Sequence, residues 1–160
     1  AVLAIPEVVS VEEDKLSRPT QVNWDITKVG APTAWSSGYD GTGYTVAILD
    51  TGVDKTHPVL TGKVVSEACY STNNSTSLTS SVCPGGVTDS TASGAAMPYT
   101  GVCPGGECDH GTHVAGIAAG QNTGQSSGVA KGANIIGIQV FSRVDDNSTN
   151  GCKGSAPCVL

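Results

Sequence analysis

The chain has 160 residues, of which 38% are hydrophobic and 14% charged, and its formal net charge is -6 at pH 7. This composition is typical of a globular protein and excludes a disordered one. The negative charge argues against nucleic acid or an anionic membrane as the main partner, because both attract basic proteins. The length fits one domain or part of a larger one.

The first third of the chain contains three predicted segments. Residues 2–11 read as a strand, and residues 17–20 form a polar linker. Residues 24–35 are predicted to be partly helical, with Pro32 at a boundary. Residues 44–49 form an uninterrupted run of apolar and β-branched side chains. Such a run predicts a strand that is buried on both faces.

The remaining elements predict an α/β fold. A short strand is predicted at 63–68, and the Ser-, Thr-, Gly- and Pro-rich stretch 70–106 predicts a long surface loop. Apolar residues at helical spacing predict a helix over 110–120, with Asp109 as its N-cap. A second buried strand is predicted at 134–141. Strand, helix and strand in this order predict a βαβ unit and a parallel sheet.

Three glycines lie in the predicted helix, at positions 111, 116 and 120. Each lowers the intrinsic helix propensity by about 1 kcal/mol relative to alanine. A helix that keeps them is expected to pack closely against a neighbouring segment.

Six cysteines predict up to three disulfides and an oxidising compartment. They are Cys69, Cys83, Cys103, Cys108, Cys152 and Cys158. The sequence leaves 15 pairings of six cysteines open. Only Cys152–Cys158 is favoured by proximity along the chain.

Two residues carry the candidate chemistry. Asp50 follows the strand predicted at 44–49, and the carboxyl ends of strands are where open α/β sheets place their functional groups. His110 begins the predicted helix. A histidine base needs an acid that holds its tautomer and stabilises the imidazolium. An isolated acid or histidine is more often structural, but the two together in these contexts favour a catalytic pair.

The segments around these residues resemble the subtilisin-like serine proteases, the subtilase or peptidase S8 family. Residues 47–54 read Ala-Ile-Leu-Asp-Thr-Gly-Val-Asp and continue through His57-Pro58, as in the family's acid motif. Residues 110–116 read His-Gly-Thr-His-Val-Ala-Gly, as in its histidine motif, and 128–140 fits the strand that follows. The resemblance covers about 24–141. It implies a three-layer α/β/α sandwich with a mostly parallel sheet, incomplete in this chain.

The resemblance also implies roles for single residues. Asp50 would orient His110, and His110 would take a proton from a serine and return it to the leaving amine. Both are therefore candidate catalytic residues of an endopeptidase that hydrolyses peptide bonds with an Asp-His-Ser triad. His57 and His113 would be structural. No segment matches the family's Gly-Thr-Ser motif, so the serine is expected beyond Leu160 and the 160-residue piece alone is expected to be inactive.

A second resemblance concerns the N-terminus. Residues 5–14 are similar to the last strand of the inhibitor-I9-like propeptide that precedes many subtilase domains. This implies a zymogen in which 1–18 is the end of the propeptide and 19–160 is the N-terminal half of the peptidase domain. Cleavage would fall within 18–21.

The resemblance sets expectations for partners and cofactors as well. The substrates would be polypeptides, the propeptide an intramolecular inhibitor, and the protein a secreted, extracellular monomer without nucleic-acid or membrane partners. Catalysis would need no cofactor and no metal. A structural calcium ion stays open, although Val59 stands where relatives often have an acidic calcium ligand.

Three alternatives come from other classes. Leu49-Asp50-Thr51-Gly52 also resembles the motif of aspartic proteases, but those enzymes need two such carboxylates in an all-β fold. Cys103, Cys108, His110 and His113 carry ligand chemistry for a zinc-binding module. The third alternative is a non-catalytic subtilase-like pseudoenzyme that kept the fold but lost the serine.

Overall fold

The computed structural model describes residues 24–101, 103, 108–121, 127–145 and 158–159. The helices are α1 (Trp24–Lys28), α2 (Ala31–Ser36) and α3 (His110–Ala119). The strands are β1 (Thr45–Asp50), β2 (Val64–Tyr70), β3 (Thr79–Ser81), β4 (Asp89–Ser90), β5 (Asn134–Gln139), β6 (Ser142–Val144) and β7 (Cys158–Val159). Within these ranges no helix is long and apolar enough to span a membrane. The strand, linker and propeptide predicted before residue 24 lie outside the described residues, as does Cys152 with its predicted disulfide.

The main sheet has the strand order β1-β5-β2-β4. Strands β1, β5 and β2 are parallel, whereas β4 pairs antiparallel with β2. β1, α3 and β5 form the predicted βαβ unit, with Thr45 opposite Asn134 and Asp50 opposite Gln139. The α/β class with a mostly parallel sheet is therefore confirmed. Parallel pairing also brings the carboxyl ends of β1 and β5 to one edge of the sheet.

Helix α3 packs on one face of this sheet. The core between them contains Ile48 of β1, Ile135 of β5 and the small side chains Ala115 and Ala119 of α3, together with Leu60. Small residues let the helix backbone approach the strands closely. This contact decides where the first residue of α3 lies relative to the end of β1.

The other face of β1 is exposed. Thr45, Ala47 and Leu49 alternate with more buried neighbours, and 60% of Leu49 is exposed. The prediction that this strand is buried on both faces is thus not met within the described part of the chain. The physical reason is that α3 covers only one face of the sheet there.

The segment before β1 agrees with its prediction. It forms two short helices, and Pro32 lies in the first turn of α2. At that position the missing N–H of proline costs no helical hydrogen bond. The Trp35 indole N–H donates to the Val129 carbonyl at 2.8 Å, which ties α2 to the turn before β5.

The described part of the stretch 70–106 is more ordered than its composition indicates. Two short strands, β3 and β4, and a 3-10 turn at Pro84–Gly86 interrupt the predicted long surface loop. A disulfide between Cys69 and Cys83 ties the end of β2 to the 3-10 turn. The short strands form because they pair with distant ones: β4 pairs with β2, and β3 pairs with β6.

Removing the Cys69–Cys83 disulfide should destabilise the protein. Both cysteines are buried, and the bridge spans 14 residues. Closing a loop of this size restricts the unfolded chain and stabilises by about 3 kcal/mol. We expect a C69A/C83A variant of the full-length protein to lose about this free energy of unfolding in denaturant titrations. Equal stability of the variant and the wild type would show that the bridge does not brace the fold.

Candidate active site

The end of β1 and the start of α3 bring Asp50 and His110 together. The Nδ1 atom of His110 lies 2.8 Å from Oδ1 and 2.9 Å from Oδ2 of Asp50, although the residues are 60 positions apart in sequence. With the proton on Nδ1, the imidazole donates to the carboxylate. The acid–histidine pair that the two motifs predicted therefore exists as a direct contact.

The two side chains differ in their access to solvent. The side chain of Asp50 is 14% exposed, whereas that of His110 is 62% exposed. Among the described residues, no group forms a hydrogen bond with Nε2 of His110. The acid thus lies behind the imidazole, and the ring can reach a group that approaches from outside.

The environment of Asp50 favours its charged form. Burial raises the pKa of the Asp50 carboxyl, but hydrogen bonds from the Thr51 N–H and from His110, with the charge of His110, outweigh burial. The Thr51 N–H donates to Oδ1 at 2.7 Å. The net result is a pKa below the ordinary value for aspartate, so Asp50 is an anion at neutral pH.

Asp109 does not cap α3, and this prediction is wrong. Asp109 occupies the N-cap position but has helical backbone angles, and its side chain makes no capping hydrogen bond. The hydroxyl of Thr51 accepts the Gly111 N–H at 3.0 Å instead. The same hydroxyl donates to the Cys108 carbonyl at 3.0 Å. A side chain from residues 50–52, the acid turn, therefore replaces the local cap and joins that turn to the helix.

Gly111 explains part of the glycine content of α3. A Cβ atom at this position would lie 2.3 Å from the Gly52 carbonyl oxygen and 2.9 Å from the Asp50 Cβ. The close packing expected from the glycines is confirmed here. Gly116 differs, since the nearest atom to a Cβ there would be Val59 Cγ2 at 4.0 Å.

The zinc alternative conflicts with the disulfide pattern. Cys103 and Cys108 are joined to each other, so neither is available as a thiolate ligand. His110 is bound to Asp50. In the part of the chain that the structure describes, no group of three or more His, Cys, Asp or Glu side chains is placed to hold a metal ion.

In the described part of the chain, the other two histidines make no hydrogen bond with the Asp50 carboxylate. His57 and His113 line a cavity of about 530 Å³ together with Asp54 and Ile26. The Nδ1 atom of His57 accepts the Val59 N–H at 3.4 Å, within the loop that follows the acid. The cavity lining contains neither Asp50 nor His110.

Two further polar residues, Thr51 and Gln139, belong to the site. The sequence indicates Thr51 only as part of the acid motif, and neither the acid motif nor the histidine motif includes Gln139. Gln139 is fully buried, and its side chain donates to the Thr51 carbonyl at 2.5 Å. The available signal was the amide of Gln139 within the otherwise apolar run 135–141.

The stability of the protein should fall on the acid side of about pH 4. The Thr56 hydroxyl, 2.6 Å from Oδ1, lowers the pKa of Asp54, and the pKa of Asp50 is lowered as described above. Above the unfolded-chain pKa of about 3.9, both carboxylates make their full contribution to the free energy of unfolding. This contribution is lost as the pH falls through the lower native-state pKa values, because the unfolded chain then binds more protons.

Denaturant titrations of the full-length protein between about pH 3 and pH 6 measure this effect. We expect the free energy of unfolding to decrease toward pH 3, and to decrease less steeply in an Asp54→Asn variant. An identical slope in that variant would show that Asp54 does not contribute.

The family of the chain follows from comparison with known proteins. Residues 41–154 match the Subtilase family (Peptidase S8). The chain is 36% identical to Bacillopeptidase F of Bacillus subtilis (strain 168) over 131 residues, which cover 81% of the chain and 8% of that protein. It is 35% identical to Thermitase of Thermoactinomyces vulgaris over 126 residues, 78% of the chain and 34% of that protein. It is 30% identical to Subtilisin E of Bacillus subtilis (strain 168) over 139 residues, 85% of the chain and 29% of that protein.

The chain thus spans about a third or less of the length of these relatives. Because the family match covers most of the chain and includes both Asp50 and His110, the chain belongs to the subtilase family.

Proposed function

We propose that this chain provides the acid and the base of a serine endopeptidase. Its substrates are polypeptides, which the enzyme cuts by acyl transfer. The nucleophilic serine comes from sequence outside these 160 residues, so the 160-residue piece alone is inactive. Asp50 and His110 are the catalytic residues of this part.

The observation that carries the proposal is the contact between Asp50 and His110. A histidine base works when an ionised acid holds its Nδ1–H and leaves Nε2 toward the nucleophile. The 2.8 Å and 2.9 Å contacts, the lowered pKa of Asp50 and the exposed imidazole agree with this requirement. Membership of the subtilase family supports the serine as the missing third group.

The proposed reaction proceeds in two stages. Nε2 of His110 takes the proton of the serine hydroxyl as the serine oxygen attacks the peptide carbonyl, and the proton then passes to the leaving amine. The serine is acylated, and a water molecule activated by His110 hydrolyses the ester. Asp50 remains an anion throughout and stabilises the imidazolium. No metal or other cofactor takes part in these steps.

The second proposal concerns residues 1–18, which precede α1. The protein is a secreted zymogen, in which residues 1–18 end a propeptide that inhibits the enzyme intramolecularly. N-terminal sequencing of the mature extracellular protein tests this. A start within 19–22 supports it, whereas a mature chain that begins at Ala1 or earlier would overturn it.

Activity of the full-length protein tests the main proposal. We expect hydrolysis of a peptide substrate, and covalent labelling of one serine by a fluorophosphonate that blocks this hydrolysis. His110→Ala should abolish both, while His113→Ala, which changes a residue outside the Asp50 contact, should retain them. A folded protein with neither labelling nor hydrolysis would be a non-catalytic member of the family.

A further inference from the structure

Gln139 is a buried amide at the carboxyl end of β5, directly opposite Asp50 in the parallel pairing. It has no exposed surface. Its Nε2 donates to the Thr51 carbonyl at 2.5 Å, and its Oε1 accepts the Phe141 N–H at 2.7 Å. A buried amide is costly unless it is hydrogen-bonded, and these two partners also fix which end of the amide is nitrogen. The side chain is therefore held in one orientation.

Thr51, which accepts the hydrogen bond from Gln139, contacts Asp50 and the backbone close to His110. Thr51 donates its N–H to the Asp50 carboxylate at 2.7 Å. Its hydroxyl binds the Cys108 carbonyl and the Gly111 N–H, on either side of His110 in the chain. The orientation of Thr51 consequently affects the acid and the start of the helix that carries the base.

The backbone after Thr51 does not fix that orientation alone. Gly52 has φ +110°, a region that glycine enters readily and other residues rarely do. A glycine here allows several orientations of the preceding peptide unit. Gln139 holds the carbonyl of that unit from the next strand, while the Val140 N–H binds the Asp50 carbonyl separately at 3.1 Å.

We infer that Gln139 is a positioning residue for the Asp50–His110 pair, acting through Thr51. It touches neither His110 nor a reacting atom. Its effect on catalysis rests on the proposed function, whereas its effect on the hydrogen bond between the two side chains does not.

The test compares two variants of the full-length protein. Gln139→Met keeps the side-chain length but removes both hydrogen bonds. Ile135→Met is the matched control, since Ile135 is equally buried on the same strand and packs in the core away from Thr51. The first readout is the low-field proton resonance of His110 Nδ1–H in NMR spectra, which reports on the contact with Asp50 whether or not the protein is a peptidase. The second is the separation of kcat from KM.

We expect Q139M to shift or broaden the resonance and to lower kcat about 10- to 100-fold with little change in KM, the size of effect that misplacement of a catalytic group produces. I135M should change neither. A wild-type resonance in folded Q139M, or an equal loss in I135M, would overturn the inference. The two readouts fail separately. An unchanged resonance in Q139M rejects the role of Gln139, whereas a folded wild-type protein without activity rejects the proposed function.

A second pair of variants covers the case in which Q139M does not fold. Thr51→Val removes the hydroxyl that links the acid turn to α3, and Thr51→Ser keeps it. We expect T51V to perturb the resonance and T51S to preserve it. If T51V also retains the wild-type resonance, the Thr51 hydroxyl does not position His110, and the inference that Gln139 acts on the start of α3 is overturned.

Discussion

Asp50→Asn in the full-length protein is expected to lower kcat about 10⁴-fold, as is typical when the orienting acid of a triad is replaced by its amide. The carboxylate of Asp50 accepts from His110 Nδ1 at 2.8 Å. An asparagine can present its NH₂ group there, which favours the tautomer with the proton on Nε2 and prevents His110 from acting as a base. Steady-state kinetics with a peptide substrate measure the loss.

Asp54→Asn is the matched control for this prediction. Asp54 lies four residues after Asp50, but its carboxylate binds the Thr56 N–H and hydroxyl and has no hydrogen bond with His110. We expect this variant to keep kcat close to the wild-type value. Near-normal activity of D50N, or an equal loss in D54N, would contradict a catalytic role for Asp50.

Gly111→Ala should destabilise the protein by about 1–3 kcal/mol, the usual cost of adding a methyl group to a filled site. The new Cβ would lie 2.3 Å from the Gly52 carbonyl oxygen, and this atom belongs to the backbone and cannot rotate away. Helix α3 would have to move from the end of β1, which would also separate His110 from Asp50. Denaturant unfolding and kcat should therefore both be affected.

Gly116→Ala tests whether this loss is specific to the contact. Gly116 lies in the same helix, but a Cβ there would meet only Val59 Cγ2 at 4.0 Å, an ordinary van der Waals distance. Helix propensity alone then favours alanine by about 1 kcal/mol. We expect G116A to be at least as stable as the wild type, and equal destabilisation of both variants would show that the approach of Gly111 to the acid turn is not the cause.

Local sequence predicted the elements that hold the pair. The apolar runs around Ile48 and Ile135 predicted β1 and β5, and helical spacing predicted α3. Their order predicted parallel pairing, which brings Asp50 to the sheet edge where α3 begins. These predictions succeeded because hydrophobic periodicity and strand–helix–strand order act over short stretches of chain.

Contacts between distant segments were not predictable in the same way. Asp109 was the local choice for a cap, yet Thr51 accepts the Gly111 N–H from 60 residues away. The pairing of Cys69 with Cys83 was one of many combinations, and the short strands within 70–106 exist because β2 and β6 lie beside them.

The sequence by itself determined the α/β class and the family resemblance, and it indicated Asp50 and His110 as the candidate acid and base, since motif residues and periodicity are local properties. Only the tertiary structure decided how those two side chains are held. The hydroxyl of Thr51 and the buried amide of Gln139 have many potential partners in an unfolded chain, and packing of α3 against β1 and β5 selects which of them are close enough to form hydrogen bonds.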